Sequence, residues 1–289
     1  MGKVGVKAGS IIAIGNKKGK VCNLMKAAWL TDIHLNFLKY NQRETFLKRL
    51  SNEAADCFLI SGDIGEADSI IPFLQRIETV VERPVYFVMG NHDFYDGSIK
   101  EVRSSVSDYV KTSDKVIWLN EVEYVGLTQE TALVGHDSWA DGRLGDFDGS
   151  SVELNDFRCI KELKTWHRSK RLNTMQELAD EAVEHFKKAL PKALKKHRHI
   201  VAVTHVPPFK NACRYNGQPS GDEWLPFFSC KAAGDVFKGV MEQHPESEMT
   251  VLCGHTHGLA ECQILPNLTV FAGKAEYGEP EIQKIIKIL

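Results

Sequence analysis

The sequence lacks the features that would place it in a membrane or on nucleic acid. No apolar run approaches the roughly 20 residues that a membrane-spanning helix needs. The formal net charge is only −2, so the chain as a whole has no strong attraction to nucleic acid or to an acidic membrane surface. There is also no repeat, linker or low-complexity segment. We therefore expect a globular protein with no membrane partner, and nucleic acid is not the favoured partner.

The cysteines also do not show the pattern of a disulfide framework. The seven cysteines are odd in number, scattered, and contain no Cys-x-x-Cys pair, which is typical of reduced thiols in a cytoplasm. They are Cys22, Cys57, Cys159, Cys213, Cys230, Cys253 and Cys262. Near the N-terminus, the apolar stretch "SIIAIG" is too short for the core of a signal peptide. These observations predict a cytoplasmic protein.

What the sequence does contain is an ordinary globular composition, with 43% hydrophobic and 26% charged residues among 289. Residues 1–24 are rich in Gly and Lys and are interpreted as an extension, either a tail or a hairpin turning at "NKKG". From Met25 onward, short apolar strands alternate with helical patterns. We expect helices near residues 41–53, 68–80 and 98–112, each after a strand that is apolar on both faces.

The second half of the chain predicts a second group of strands. Residues 116–135 suggest an antiparallel ribbon, and a polar helical stretch follows at about 153–196. The later strands are "HIVAVTH", "EMTVLCGH", "LAECQIL", "LTVFAG" and "IIKIL". Two strand groups with helices outside them predict two packed sheets in a single domain of residues 25–289.

The strongest functional signal is a set of polar residues, each of which follows directly on a predicted strand. These residues are Asp32, His34, Asp63, Glu66, Asn91, His92, His205, His255 and His257. In α/β sheets the ligand crevice lies at the carboxyl ends of the strands, so these segments should converge. Asp, His and Asn without a thiolate are typical ligands of divalent metal ions, such as manganese, iron or zinc.

Seven of these residues are candidate ligands, which is too many for one catalytic ion that must keep an open position. They suit two ions that share a bridging carboxylate. Asp32 and His34 are two residues apart, so in an extended segment both side chains would leave on the same side. We therefore predict a dinuclear centre with two divalent ions, manganese first, with iron, zinc, nickel or magnesium as alternatives.

The blocks DIH, GDIGE, GNHD, THVPP and GHTH resemble the five signature blocks of the calcineurin-like metallophosphoesterases. The resemblance implies a four-layer α/β/β/α double β-sandwich with a dinuclear metal site at the carboxyl edge of its strands. It also implies two ligand sets that share Asp63. The first ion would be held by Asp32, His34, Asp63 and His257, and the second by Asp63, Asn91, His205 and His255.

Such an enzyme would hydrolyse phosphoesters as a phosphatase or phosphodiesterase, with a metal-bridging hydroxide attacking phosphorus in line. If Asn91 binds a metal, its neighbour His92 should point into the substrate space and protonate the leaving group. Glu66 stands where the family often has aspartate, and it is expected to orient His92. The substrate would be a small phosphoester or a phosphorylated molecule.

Residues outside the five blocks give weaker signals. Arg143 could clamp a phosphate, and residues 207–229 form a Pro- and Gly-containing loop that is a candidate lid carrying Arg214 and Tyr215. Two alternatives stay open: a nuclease acting on DNA or RNA, and a non-enzymatic metal-binding scaffold. A stripe of basic residues beside Trp166 favours the nuclease; it comprises Lys161, Lys164, Arg168 and Arg171. The sequence predicts neither the substrate nor the oligomeric state.

Overall fold

A computed structural model describes residues 24–289, so the predicted N-terminal extension lies, except for Leu24, outside the described residues. The strands are β1 Met25–Leu30, β2 Cys57–Ser61, β3 Val85–Val88, β4 Val116–Trp118, β5 Val125–Gly126, β6 Thr131–His136, β7 His199–Thr204, β8 Arg214–Tyr215, β9 Gln218–Pro219, β10 Glu248–Cys253, β11 Ala260–Leu265, β12 Leu268–Ala272 and β13 Lys284–Ile288. The helices are α1 Tyr40–Asn52, α2 Ile70–Val81, α3 Ile99–Val110, α4 Asp156–Cys159, α5 Arg168–Leu194, α6 Leu225–Phe228 and α7 Lys231–Glu242. Helices α1 to α3 confirm the three predicted after the first strands.

Two mixed sheets form the centre of the fold. The first has the order β13-β1-β2-β3-β4, in which β1 to β4 run parallel and β13 is antiparallel to β1. The second has the order β11-β12-β10-β7-β6-β5, with a parallel centre and antiparallel edge strands. Parallel strands place their carboxyl ends at one edge of each sheet.

Successive side chains of each strand point to opposite faces of the sheet, and this alternation explains the four layers. Trp29 of β1 belongs to a buried cluster made largely by strands of both sheets, whereas its neighbours Ala28 and Leu30 belong to a cluster shared with the helices. The strands are apolar on both faces because one face meets the other sheet and the other face meets helices. This arrangement confirms the predicted α/β/β/α double sandwich.

Two predictions about strands were wrong. Residues 116–135 do not form one antiparallel ribbon: β4 pairs in parallel with β3 in the first sheet, while β5 and β6 belong to the second. The last strand, β13, was expected beside the late strands but pairs with β1 instead. A short apolar strand carries no information on which sheet edge it joins, so its partner is decided by tertiary packing.

The predicted helical stretch at 153–196 is interrupted, and the basic stripe within it does not form. Lys161 and Lys164 precede α5 and are not on a helix with the two arginines. Arg171 is buried and its Nη1 lies 2.8 Å from a carboxylate oxygen of Glu153, while Arg168 donates to the Ser150 carbonyl at 2.8 Å. Both arginines therefore serve the fold. None of the helices in residues 24–289 combines the length and the apolar character required to cross a bilayer.

The segment 207–229 is not one loop, because it contains the hairpin β8–β9 and the short helix α6. Asn216 and Gly217 turn the hairpin with φ angles of 48° and 75°. An Asn-Gly pair with both φ angles positive is the preferred two-residue hairpin turn. The Asn-Gly dipeptide therefore indicates a β-hairpin within the segment that was predicted to be a loop.

Candidate metal centre

The predicted ligands lie on the loops that follow the parallel strands, and five of them have a left-handed backbone. Their φ angles are 49° for Asp32, 38° for His34, 54° for Asp63, 70° for His255 and 54° for His257. A non-glycine residue in this region costs on the order of 1–3 kcal/mol, and such strain clusters at functional sites. The expectation that Asp32 and His34 leave an extended segment was therefore wrong. Tight left-handed turns, not strand alternation, aim both side chains at the site.

One group of four side chains brings its ligand atoms within 4.8 Å of one another: Asp32, His34, Asp63 and His257. The Nε2 atoms of His34 and His257 face each other at 3.4 Å. His34 Nε2 also lies 3.6 Å from Asp63 Oδ2, and its buried Nδ1 has no hydrogen-bond partner in the described residues. Nitrogen and carboxylate oxygen atoms that converge in this way can hold a divalent cation.

A second group gathers around the side-chain oxygen of Asn91. His205 Nε2 and His255 Nδ1 each lie 3.0 Å from Asn91 Oδ1. Each ring faces a backbone carbonyl with its other nitrogen: His205 Nδ1 lies 2.8 Å from the Ser61 oxygen, and His255 Nε2 lies 2.9 Å from the Phe227 oxygen.

The rings of His205 and His255 carry too few protons to donate in all four of these contacts. Burial lowers the pKa of His205 to about 3 and also lowers that of His255, so both rings are neutral and carry one proton each. Four ring nitrogens face oxygen acceptors, but only two can donate. If the carbonyls take the protons, the remaining lone pairs of both rings meet Asn91 Oδ1, and a cation among them removes the repulsion. The second group therefore also fits a metal ion.

Asp63 lies between the two groups and requires positive charge. Its Oδ1 is 3.4 Å from His205 Nε2, and its Oδ2 approaches His34 in the first group. Burial, followed by the charge of Asp32, raises the pKa of Asp63 well above its usual range. Two buried carboxylates without a compensating cation are unfavourable. Asp63 therefore has both the position and the electrostatic need of a bridging ligand.

Glycines allow these groups to approach. A Cβ atom on Gly90 would overlap Asp63 Oδ1, and one on Gly254 would overlap Asp32 Oδ2. Across the two sheets, the backbone N–H of His255 donates to Asp32 Oδ1 at 3.0 Å. The close packing of the loops at these positions is why the GNHD and GHTH segments have glycine before their polar residues.

Asp156 orients the Asn91 side chain, a role that no sequence motif indicates. Asn91 Nδ2 donates to Asp156 Oδ1 at 2.8 Å, and the Tyr95 hydroxyl donates to the same oxygen at 2.7 Å. Since the amide nitrogen is directed to a carboxylate, the amide oxygen must face the histidines. Asp156 lies on α4, 65 residues from Asn91, and belongs to no recognisable motif.

His92 points its ring away from Asn91 and toward the open side of the site. Its ring stacks on Tyr95 with centroids 4.1 Å apart, and its Nε2 lies 3.5 Å from the Tyr277 hydroxyl. Burial lowers the pKa of His92 to about 4. Its Nδ1 has no hydrogen-bond partner in residues 24–289, so Glu66 does not hydrogen-bond to this nitrogen. The pKa of Glu66 is raised by burial and by the nearby Asp96 carboxylate.

The three predicted substrate-binding residues differ in position. Arg143 is paired with Asp180 at 2.8 Å and with Asp141 at 3.3 Å, and none of its ion pairs involves a predicted ligand. The backbone of Arg214 packs against Gly258, directly after His257, so the β8–β9 hairpin borders the site. Arg214 donates to the Gly217 carbonyl at 3.0 Å, and Tyr215 is 56% exposed.

The fold combines two packed α/β sheets with a group of four clustered side chains that could hold a metal ion. The sequence model of the calcineurin-like phosphoesterases matches residues 25–259, and the chain belongs to this family. It is accordingly a metal-dependent phosphoesterase, and the family uses a dinuclear centre of divalent ions.

Two solved structures are similar over most of their length. A phosphopantetheinyl hydrolase from Mycobacterium tuberculosis is 13% identical, with a TM-score of 0.61 over 89% of this chain and 92% of that one. A dimetal phosphatase from Danio rerio is also 13% identical, with a TM-score of 0.56 over 89% of each chain. At this identity the likeness concerns the fold. Comparison with curated proteins gives no match.

Proposed function

We propose that residues 25–289 form a single catalytic domain that hydrolyses phosphoesters at two divalent metal ions. One ion is held by Asp32, His34, Asp63 and His257, and the other by Asp63, Asn91, His205 and His255. When bound, the ions lower the pKa of the attacking water and offset the charge of the phosphoryl oxygens. Manganese is the first choice for both positions, and the scattered cysteines favour a reducing, cytoplasmic setting.

The observation that carries the proposal is the excess of acceptors around Asn91. Neutral His205 and His255 cannot donate to the Asn91 oxygen while also donating to their backbone carbonyls. The Asn91 amide cannot turn over without directing its oxygen at the Asp156 carboxylate. A cation resolves this conflict with every other contact in place.

His92 is proposed as the general acid. Its ring is fixed by stacking on Tyr95, and its Nε2 lies beside the Tyr277 hydroxyl. The negative charge of a bound phosphoester would favour the protonated ring, which could then donate to the leaving oxygen. Glu66 remains proposed to orient this histidine, although no hydrogen bond joins Glu66 to His92 Nδ1 in residues 24–289. Arg214 and Tyr215 are proposed to border the substrate from the β8–β9 hairpin, within the segment 207–229 proposed as a lid.

A nuclease is less well supported than a small-molecule phosphoesterase. The basic stripe that favoured nucleic acid is absent from the fold, since Arg168 and Arg171 are engaged internally. A non-enzymatic scaffold would not need a half-buried histidine directed at the open side of the metal centre. The following assay distinguishes the nuclease and the scaffold from the proposed phosphoesterase.

Removal of metal should abolish hydrolysis. After treatment with a chelator, the protein is expected to lose activity on phenyl phosphate and bis-phenyl phosphate, and to regain it on addition of Mn²⁺. Bound metal, counted in the same samples, should rise to about two ions per chain. Full activity in the metal-free protein would contradict the proposal. Activity only on plasmid or single-stranded DNA would support the nuclease, and two bound ions without hydrolysis of any ester would support the scaffold.

Loss of the Asp156 carboxylate should weaken one ion selectively. We expect Asp156→Asn to lower the affinity of the ion proposed at Asn91, His205 and His255 by about 10–100-fold, as is typical for a partner that orients a ligand. The affinity of the other ion should change little. Calorimetric metal titration would show this as two separated binding steps in place of the wild-type profile.

The matched control for this titration is Asp146→Asn. Asp146 is exposed and its side chain caps only its own turn, by accepting from the Gly149 N–H at 2.9 Å. It should titrate as the wild type does. Equal weakening of both ions in Asp156→Asn would mean that Asp156 supports the local fold and does not orient Asn91.

A further inference from the structure

Exposed aromatic side chains border the metal centre on the side of His34. Phe37 follows His34 by three residues in the short 3-10 helix Leu35–Phe37, and it is 50% exposed. Tyr277 comes from the segment 273–283 between β12 and β13, and it is 47% exposed. Their ring centroids are 4.6 Å apart, with 38° between the planes.

These two rings adjoin the proposed site of chemistry directly. The Tyr277 centroid lies 4.6 Å from the ring of His34 and 5.1 Å from the ring of His257. Its hydroxyl lies 3.5 Å from His92 Nε2, the atom proposed to protonate the leaving oxygen. A leaving group bound at His92 must therefore extend past Tyr277.

The exposure of these rings is not explained by the fold. Large apolar side chains are normally buried, and a contiguous exposed apolar surface marks a binding site. Of the nine large apolar or aromatic side chains that are exposed in residues 24–289, Phe37, Tyr215, Leu259 and Tyr277 all belong to segments that border the metal centre.

Resting on the phosphoesterase function proposed above, we propose that Phe37 and Tyr277 form a stacking platform for a planar group on the leaving alcohol. The substrates favoured by the site are then phosphoesters of aromatic or heteroaromatic alcohols, with the ring within a bond or two of the ester oxygen. The phosphoryl group lies at the ions, and the ring lies on the platform.

The test compares benzyl phosphate with ethyl phosphate, both esters of primary alkyl alcohols that differ in the aromatic ring. In Tyr277→Ala and in Phe37→Leu, KM for benzyl phosphate should rise about 5- to 10-fold, as expected for loss of an aromatic stacking partner. KM for ethyl phosphate should stay within about twofold of the wild type. Tyr277→Phe keeps the ring and should keep the wild-type KM for benzyl phosphate.

Tyr40→Ala is the matched control, because Tyr40 is 67% exposed on α1 and lies near Arg76 instead of the metal ligands. It should leave both KM values unchanged. Equal effects of Tyr277→Ala on both esters, or none on either, would overturn the platform while leaving phosphoester hydrolysis intact. A wild-type protein that binds two ions and hydrolyses neither ester would instead overturn the proposed function and the platform with it.

Discussion

Asp63→Asn is expected to reduce hydrolysis of every phosphoester to background. Asp63 approaches a ring nitrogen of each ligand group, His205 Nε2 at 3.4 Å and His34 Nε2 at 3.6 Å. Asparagine removes the charge that the two ions share, but its side-chain oxygen can still accept from the His92 N–H, which now donates to Asp63 at 2.9 Å. The fold should therefore persist while metal binding fails.

Metal counting and kinetics on three variants would check this expectation. Asp63→Asn should retain fewer ions than His34→Ala, which removes a ligand of one ion only, and it should lose more activity. Asp68→Asn, at an exposed aspartate five residues away, should behave as the wild type. Two tightly held ions in Asp63→Asn would contradict the bridging role.

His92→Asn should give the second largest loss, and the loss should depend on the leaving group. An alkyl alcohol leaves poorly unless its oxygen is protonated, so hydrolysis of ethyl phosphate should fall by about 10²–10⁴-fold. A nitrophenolate leaves readily without a proton, so its ester should be affected less. The His92 ring stacks on Tyr95 and meets the His34 ring edge-on at 4.6 Å. Since His92 itself is in neither ligand group, the metal content should be unchanged.

The three roles open to His92 give different results in this experiment. Loss of an ion together with equal losses on both esters would identify a ligand, and unchanged rates would identify a turn residue. His167→Asn is the control, since His167 is an exposed histidine at the start of α5, outside the site. It should change neither rate nor metal content.

The clustering of the predicted ligands could be anticipated because each follows a strand within a short local motif. Parallel strands bring such motifs to one edge whatever the loops do, so the convergence of Asp32, Asp63 and Asn91 required no knowledge of the loop geometry. The manner of convergence was not predictable. The left-handed turns at Asp32 and His34 depend on packing against the neighbouring loops, through bonds such as His34 N–H to the Asp63 carbonyl at 2.9 Å.

Residues that act on the site from distant segments were not predictable for a different reason. Asp156 and Tyr277 have no motif around them, and a single aspartate or tyrosine in a polar segment is usually a surface residue. Their roles depend on contacts across 65 and 185 positions of the chain. The predicted basic stripe was wrong for a related reason. Sequence spacing shows which arginines lie near each other along the chain, but it does not show that Arg171 forms an ion pair with Glu153.

The pairing of β13 with β1 has a consequence for how the chain folds. Met25 lies opposite Ile288, and the Leu289 carbonyl accepts from Thr131 at 3.0 Å in the second sheet. Closing this pair encloses nearly all of the described chain in one loop, and folding slows as contacts become less local. Because segment 273–283 reaches its place only when β13 docks, Tyr277 should be among the last residues to be ordered. During refolding, metal binding by the loops that follow β1, β2, β3, β7 and β10 should precede completion of the stacking platform.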